Sequence, residues 1–490
     1  MLLSSLIFSY IIIDFSPEID DNTPIGFDQL SFQICTEEPE CGSVQEWKAH
    51  TGGIHMKKCL ALLLTFLIIL TATACSASQT EATEAPTQEA APTEYLPFEG
   101  ETLTVLCVTG AHAEAARSMM EEFEAVTGAK VEVVDYEYQE LHEQVLLDLT
   151  SYIGAYDVIN IDSQWDGEFA PYLEPLEPYI TQDKFDMNVW IENVLANCGQ
   201  WQDTIVGIPT SSMPQVFAYR TDLLPNGIPN TWFDYRRILG GLNKPANGMY
   251  GIAVSKSPDQ LVDMFNRVLW SMGGKWADEN WKVTVNSNEG RGALNHLNMA
   301  KILSDPACLE WTPEDAIQAF LDGNAVVCEA WPDAILQKAE DPEVSQIAGN
   351  WSLGPIPHDK TNITALDAWD AVIPVAAQDK DLAWEWIKMY TSLEMQNRFY
   401  DEFMLFSPRK AFWEQEKMAE LSVLREALDY ANNAWRISAF LEAEPNISDA
   451  LSSFLSGKTF LDTAIRKLDS EIKAYLEIMP PAEGTVNTQH

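Results

Sequence analysis

Apolar runs and amphipathic segments alternate from residue 102 onward. Three apolar runs have the length of a strand: 102–108 (TLTVLCV), 130–136 (KVEVVDY) and 156–161 (YDVINI). Two intervening segments carry apolar residues at helical spacing: 113–126 and 139–152. This order predicts a parallel sheet with right-handed crossovers. Because open sheets bind ligands beyond the carboxyl ends of their strands, we expect residues 109–112 and 162–166 to lie near any site.

The rest of the chain continues this alternation. Short apolar runs predict three further strands: 281–286, 325–328 and 351–356. Amphipathic periods predict four further helices: 259–272, 289–303, 381–399 and about 460–476. No internal repeat of solenoid period is visible. The predicted fold class is α/β.

Composition narrows the classes of protein. The chain has 490 residues, which at roughly 100 to 200 residues per domain predicts two or three domains. Its 16 Trp, 20 Phe and 15 Tyr exclude a wholly disordered protein. The 30 Lys and Arg against 74 Asp and Glu give a formal net charge of -44. We expect no nucleic-acid partner, because nucleic-acid binding relies on Lys and Arg that displace counterions from phosphates.

An apolar run near the start has the features of an export signal. It covers residues 59–74 (CLALLLTFLIILTATA), follows Lys57 and Lys58, and ends at Cys75. It is too short to span a bilayer comfortably, and small residues precede the cysteine. Residues 56–75 resemble a bacterial lipoprotein signal, although Ala72 stands where that signal usually has Leu. The resemblance implies that acylated Cys75 anchors the protein to the cell membrane, facing the extracellular or periplasmic side; a plain cleaved signal is the alternative.

Two segments flank this signal. Residues 1–55 precede it, and because a signal belongs at the start of a chain, we interpret them as an extension from a misassigned start codon. A genuine extension with residues 2–13 as a second hydrophobic segment is the alternative. Residues 76–100 are rich in Thr, Glu, Ala and Pro and cannot bury a core, which predicts a flexible tether.

The body of the chain carries no motif for a cofactor, a metal or catalysis. Cys107, Cys198, Cys308 and Cys328 have no C-x-x-C spacing, which favours buried thiols and leaves two disulfides possible. The histidines are scattered, and the nucleophile-elbow, zinc-protease and phosphate-loop motifs do not occur. We expect no cofactor and no enzymatic activity, although the carboxylate pair of a glycoside hydrolase would leave no motif.

Five segments, in order, carry a resemblance to a known family. They are 156–180 (YDVINIDSQWDGEFAPYLEPLEPYI), 207–225 (GIPTSSMPQVFAYRTDLLP), 229–235 (PNTWFDY), 319–331 (AFLDGNAVVCEAW) and 382–396 (LAWEWIKMYTSLEMQ). Residues 101–480 resemble family 1 extracellular solute-binding proteins of the maltose-binding type, the ligand-capturing subunits of ABC importers. In residues 229–235, Asp234 stands where the family has Glu and is shifted by one position.

The resemblance implies a type II periplasmic-binding-protein fold, with two α/β lobes, a ligand cleft and a hinge that the chain crosses three times. Lobe one would comprise 101–212 and 353–402, lobe two 213–352 and 403–480, with 481–490 as a tail. Ligand would favour the closed state, because only closure contacts it from both sides. The implied partners are a small-molecule ligand and the membrane subunits of an ABC permease, and we expect a monomer.

Candidate ligand contacts follow from the chemistry of sugars. A sugar site needs flat aromatic platforms beside carboxylates and hydroxyls that hydrogen-bond the ligand. Three Trp residues fall where the family places cleft residues: Trp165, Trp331 and Trp369. The carboxylates Asp162, Asp166 and Asp370 lie beside them in sequence, and Ser211 is a candidate from its position at the hinge alone. The alternatives are that the Trp residues belong to the core and that Asp162 or Asp370 caps a helix.

The predicted function is the capture of a sugar or oligosaccharide outside the cell and its delivery to an ABC permease. The preference for sugar comes from the resemblance. A cationic ligand such as a polyamine would also suit an acidic cleft with aromatic walls. A surface sensor or adhesin on the same fold is the third alternative.

Overall fold

The computed structural model describes residues 96–482 and 485–487 of the protein. The predicted extension 1–55, the signal 56–75 with the acylation site Cys75, and residues 76–95 of the predicted tether lie outside this range. Within the described range, no helix is long and apolar enough to cross a membrane.

Strands and α-helices alternate along the described residues. The strands are β1 (Thr102–Val108), β2 (Lys130–Tyr136), β3 (Val158–Asp162), β4 (Gln200–Trp201), β5 (Thr204–Ile205), β6 (Gly207–Pro214), β7 (Phe217–Arg220), β8 (Tyr250–Ala253), β9 (Ala325–Cys328), β10 (Trp351–Gly354), β11 (Thr364–Val372) and β12 (Ala431–Asn432). The helices of the first half are α1 (Ala111–Ser118), α2 (Met120–Thr127), α3 (Tyr138–Ser151), α4 (Asp166–Phe169), α5 (Glu177–Asp183), α6 (Glu192–Asn197) and α7 (Trp232–Leu242). Those of the second half are α8 (Pro258–Ser271), α9 (Asn288–Ile302), α10 (Pro313–Leu321), α11 (Asp333–Lys338), α12 (Lys380–Tyr390), α13 (Leu393–Phe403), α14 (Lys410–Trp413), α15 (Ser422–Leu428), α16 (Ser438–Leu455) and α17 (Leu461–Ile478).

The first sheet confirms the predicted parallel arrangement of the opening strands. Its order across the described strands is β12-β11-β3-β1-β2, with β6 also paired to β11. β1 is parallel to both β2 and β3, whereas β11 is antiparallel to β3 and β6. The carboxyl ends of β1 and β3 therefore open toward the same edge, as the sequence predicts.

Two predicted long helices each divide into two. The segment 113–126 forms α1 and α2, separated at the fully buried Met119. The segment 381–399 forms α12 and α13, because Ser392 accepts a hydrogen bond from the Met395 amide and starts a new helix. Amphipathic periodicity does not detect such breaks, since apolar residues keep their spacing across them.

The second sheet has the order β10-β7-β9-β8 within the described residues. A large apolar core joins it to α7, α8, α9, α16 and α17. The strand predicted at 281–286 is wrong: only an isolated bridge between Ala277 and Val283 forms there. The backbone of Trp281 turns to a φ of 61°, and its ring stacks on that of Trp435 at 5.6 Å.

The chain passes between the two sheets after β6, after β10 and after β12. The first two passages touch, because the Gln215 amide donates to the Ala365 carbonyl at 2.8 Å and the Thr364 hydroxyl donates to the Gln215 carbonyl at 2.5 Å. Residues 403–432 carry α14, α15 and β12, which pack on β6 and β11 of the first sheet. We therefore propose that the third crossing lies at 433–437, later than the predicted boundary at 403.

The ends of the described body add contacts that composition does not reveal. The Phe98 amide, within the predicted tether, donates to the Thr127 carbonyl at 2.9 Å. In the predicted tail, Asn487 accepts from the Trp435 indole at 3.0 Å. All four body cysteines are buried and free, in agreement with the buried-thiol interpretation.

Candidate ligand-binding cleft

A cleft between the two sheets contains two adjoining chambers. The larger has a volume of about 780 Å³ and the smaller about 410 Å³. Trp331 and Asp367 line both chambers and so mark the place where they meet. Each volume lies within the range of roughly 300–1,000 Å³ that small-molecule sites occupy.

Elements from both sheets form the larger chamber. The first-sheet side is formed by the start of α3, the turn after β3 and the strand β11: Tyr138, Gln139, Asp162, Gln164, Ala365, Leu366 and Asp367. The opposite side is formed by α8, the segment after β9, the third crossing and α16: Asp263, Trp270, Trp331, Ala434, Leu441, Glu444, Pro445 and Ser448. A ligand in this chamber would contact both halves of the protein at once.

The smaller chamber lies against the start of α1 and the end of α13. Its polar lining consists of His112, Ser211, Ser212, Glu314, Asp333, Gln337 and Asp367. The buried Ser212 hydroxyl has no hydrogen-bond partner in the described part of the chain. Burial lowers the pKa of His112 to about 4, so its ring is neutral near pH 7. This chamber thus offers hydroxyl and imidazole groups that hydrogen-bond without positive charge.

Asp162 is held in place at the end of β3. Its Oδ1 accepts from the Gln164 amide at 2.9 Å, which caps the short 3₁₀ turn 163–165. Its Oδ2 accepts from the Tyr138 hydroxyl at 2.8 Å and from Gln164 Nε2 at 3.3 Å. Asp162 is therefore a helix cap, as one alternative predicted, and also part of the chamber wall.

Two helices place the groups that face Asp162 across the chamber. Asp263 and Trp270 are two turns apart on α8, so they share a face. Glu444 and Ser448 are one turn apart on α16 and share a face in the same way. Pro445 has no N–H, so it cannot donate the usual helical hydrogen bond to the carbonyl of Leu441 on the same wall.

Carboxyl groups are concentrated in the larger chamber, and the pKa values of Asp162, Asp367 and Glu444 are raised. Asp367 is exposed to the cleft, and desolvation by the protein around it, followed by repulsion from Asp162, Asp333 and Asp263, raises its pKa. Burial, followed by repulsion from Asp263 and Asp162, raises the pKa of Glu444 to about 8. Burial also raises the pKa of Asp162, against the hydrogen bonds from Gln164 and Tyr138 that lower it. Among the described residues, no group of three or more His, Cys, Asp or Glu is arranged to hold a metal ion.

The seven predicted contact residues separate into two groups. Asp162, Ser211 and Trp331 line the chambers. Trp165 and Trp369 line neither and pack behind the wall, with their ring centroids 6.2 Å apart. Trp369 lies 4.7 Å from the ring of His112, and Trp165 lies 5.1 Å from that of Tyr138. The two buried Trp rings therefore support the residues that do face the cleft.

Asp166 and Asp370 also line neither chamber and are fully buried. Asp166 Oδ2 pairs with Arg436 Nη1 at 2.9 Å and accepts from the Gly199 amide at 3.1 Å. Burial and the neighbouring Asp166 raise the pKa of Asp370 well above its usual value. Arg436 belongs to the third crossing, so its pair with Asp166 ties the hinge to the first-sheet half of the protein. Asp162, Ser211 and Trp331 are thus the predicted contact residues that line the chambers, and Trp165, Asp166, Trp369 and Asp370 lie behind the lining.

A second buried network of ion pairs and hydrogen bonds surrounds Glu329, two residues before Trp331. Glu329 forms an ion pair with Arg267 at 3.0 Å and accepts from the Tyr235 hydroxyl at 2.8 Å. Arg267 also donates to Gln215 Oε1 at 2.8 Å, in the first crossing. Burial would raise the pKa of Glu329, but His296 and Arg267 outweigh it and hold the pKa at about 2. Glu329 is therefore a structural anion of the hinge.

Several lining residues were not among the predicted contacts. Asp263 and Trp270 lie on a predicted helix, whose amphipathic pattern distinguishes only a packed face and a solvent face; Tyr138 begins α3, and Glu444 lies on α16, a helix that was not predicted from the sequence. A carboxylate that faces a cleft has the same periodicity as one that faces bulk solvent. The only signal in the sequence was the position of Tyr138 after β2, at the carboxyl edge of the parallel strands.

Comparison with known proteins agrees with this architecture. The family model for bacterial extracellular solute-binding proteins matches residues 109–397, more than half of the chain. A probable amino-acid ABC transporter periplasmic-binding protein of Sinorhizobium fredii (strain NBRC 101917 / NGR234) is 26% identical over 328 residues, which cover 64% of this chain and 74% of that protein.

Two solved structures show the same fold at low sequence identity. An ABC transporter solute-binding protein from Agrobacterium radiobacter K84, in complex with ribitol, has a TM-score of 0.67 and 22% identity, and the match covers 77% of this chain and 99% of that one. Maltose-bound MalE3 of T. maritima has a TM-score of 0.67 and 24% identity, with 76% and 100% covered. The predicted type II periplasmic-binding-protein fold is confirmed. The chain belongs to the bacterial extracellular solute-binding protein family.

Proposed function

We propose that the protein captures a sugar or oligosaccharide outside the cell in the cleft between its two lobes and delivers it to the membrane subunits of an ABC importer. It would act by binding and closure, without chemistry of its own. Acylated Cys75 would hold it at the membrane surface, since multiple acyl chains anchor a protein where one chain binds only weakly.

One observation carries this proposal: the larger chamber combines aromatic side chains with many hydrogen-bond acceptors drawn from both sides of the cleft. Trp331 and Tyr138 offer apolar faces, and Asp162, Asp367 and Glu444 offer carboxyl groups. A sugar presents apolar C–H faces and a rim of hydroxyl donors, which match these two kinds of group. The names of the similar proteins give different ligands: an amino acid, ribitol and maltose. The choice of a saccharide for this protein therefore rests on the residues that line its cleft.

The thermal unfolding midpoint of the purified protein tests the proposal. The panel would contain monosaccharides, oligosaccharides, sugar alcohols, amino acids and polyamines. A ligand that binds only the folded state adds RT ln(1 + [L]/Kd), about 2.7 kcal/mol at a hundredfold excess over Kd. We expect a saturable rise with a saccharide. A rise with an amino acid or a polyamine alone would contradict the proposal.

A polyamine is the second candidate because of one specific observation. The larger chamber has four carboxyl groups on its walls, Asp162, Asp263, Asp367 and Glu444. A linear polyamine would pair with them and lie against Trp331 through cation–π contact. The aromatic and hydroxyl groups of the smaller chamber favour the saccharide.

A further inference from the structure

The carboxyl groups of the larger chamber come from separate elements and meet in one space. Asp367 lies on β11, Asp263 on α8 and Glu444 on α16. Their charges act on one another: Asp263 raises the pKa of both Asp367 and Glu444. Chain segments far apart in sequence thus bring like charges together.

The described residues that line either chamber include no Lys or Arg. Arg267 acts on Asp263 by charge, but this guanidinium is itself buried and bound to Glu329 at 3.0 Å and to Gln215 at 2.8 Å. His142 acts on Asp162 by charge and contacts Glu168 at 2.7 Å. The positive charge that would balance this chamber is therefore not supplied by its lining.

Two further observations indicate where a ligand would bind. Both oxygens of Asp162 already accept hydrogen bonds from Gln164 and Tyr138. Trp270, with 1% of its surface exposed, lines the same chamber, and its indole N–H has no partner in the described structure. Such a buried donor without a partner marks a place for a ligand oxygen.

Resting on the proposed function, we propose that the captured saccharide carries a protonated amine, which binds between Asp263, Asp367 and Glu444. The sugar ring would lie against Trp331, and a ring oxygen or hydroxyl would accept from the Trp270 indole. A neutral sugar would leave these crowded carboxyl groups without a counter-charge, whereas an ammonium group stabilises their ionised forms and donates up to three hydrogen bonds. The ligand class is an amino sugar or an oligosaccharide that contains one.

Binding of an amine should release protons from the carboxyl groups, which makes the affinity depend on pH. With a pKa of about 8, Glu444 holds a proton near pH 7 when no ligand is bound, and the pKa of Asp367, which is exposed to the cleft, is also raised. An ammonium group between the two would displace the protons that they hold. Affinity for the amine would then rise with pH from about 6 until the amine itself begins to lose its proton, by up to tenfold per pH unit for each proton displaced. Asp162 and Asp263 act by charge on both Asp367 and Glu444, and Asp333 acts on Asp367. Burial, followed by the charges of Asp162, Glu444 and Asp367, raises the pKa of Tyr138.

The test compares amino sugars with neutral counterparts of the same ring, linkage and length. The probes are glucosamine, galactosamine and the β-1,4-linked glucosamine trimer, the N-acetylated form of each, maltotriose, and spermidine. Calorimetric titration near pH 7 in phosphate and in Tris, whose ionisation enthalpies differ, measures both affinity and proton release. We expect an amino sugar to bind at least tenfold more tightly than its N-acetylated form and to release protons.

Variants connect the preference to these residues. Glu444→Gln and Asp367→Asn should each reduce the tenfold preference to about twofold or less. Glu442→Gln, an exposed carboxylate of the same helix that lines neither chamber, should leave it unchanged. Circular dichroism of each variant checks that the fold is intact.

The possible outcomes separate this inference from the proposed function. Equal or tighter binding of the neutral sugars would overturn the amine and support saccharide capture. Binding of spermidine with no saccharide would overturn saccharide capture. Binding of an amino sugar without proton release, or with the preference intact in both variants, would overturn the assigned position of the amine.

Discussion

Removing Arg436 should destabilise the protein, because it leaves the buried carboxylate of Asp166 without its ion-pair partner. The side chains of Arg436 and Asp166 are 6% and 0% exposed and lie 2.9 Å apart. Arg436 also donates to the carbonyls of Gln200 at 2.9 Å and Ala196 at 3.0 Å. Breaking a buried pair by removing one partner costs about 3–5 kcal/mol, because the other charge stays buried. We expect Arg436→Ala to lower the free energy of unfolding by that amount.

The free energy of unfolding lost in Arg436→Ala should increase with pH. Burial raises the pKa of Asp166 to about 7, although Arg436 opposes this rise. Without Arg436 the pKa rises further, so Asp166 can be neutralised by a proton near pH 5 but not near pH 9. A raised folded-state pKa gives stability that is lost as pH rises, so the variant should lose more at the higher pH.

Urea unfolding at both pH values measures the effect, with the slope m checked for constancy. The matched control is Arg425→Ala, whose exposed i,i+4 pair with Asp429 at 2.7 Å should contribute less than about 1 kcal/mol. A loss of under about 1 kcal/mol in Arg436→Ala, or an equal loss at both pH values, would refute the role assigned to this cluster.

Three further predictions concern stability and reactivity. Gly207→Ala should cost about 2 kcal/mol or more, because its Cβ would lie 1.8 Å from Asp370 Oδ2, whereas Gly240→Ala, with open space on α7, should raise the thermal midpoint slightly. Without ligand, Glu444 should make the thermal midpoint fall between about pH 4.5 and pH 8, because over this range the folded state holds a proton that the unfolded state has lost; a rising midpoint would contradict this. Burial raises the pKa of Cys107 to about 12, so mass spectrometry should find it alkylated by iodoacetamide only after denaturation, and labelling of the native protein would show that it is accessible.

Strand periodicity predicts the parts of the fold that depend on local sequence. β1, β2, β3, β9 and β10 form within a residue or two of the predicted apolar runs. The predicted strand at 281–286 also carries apolar residues at alternate positions, yet Trp281 turns away and stacks on Trp435. A contact over this sequence distance cannot be inferred from local pattern.

The candidate site shows the same division between local and distant information. Asp162 follows a predicted strand, and Trp331 follows β9, so strand ends place both beside the cleft. Asp166 is close to Asp162 in sequence, but Arg436, 270 residues away, holds it in the hinge. Glu444 faces the chamber only because α16 packs across the cleft. Residues whose environment depends on a distant partner could not be assigned from the sequence.

Calorimetric titration of one pair of variants tests the central claim, that the cleft beside Trp331 binds the ligand. Trp331 and Trp351 are both half-buried, but only Trp331 lines the chambers. With the saccharide that raises the thermal midpoint most, we expect one site per chain and at least tenfold weaker binding, about 1.4 kcal/mol, in Trp331→Ala. Trp351→Ala should bind like the unmodified protein. Equal affinity in Trp331→Ala and the unmodified protein would contradict the account.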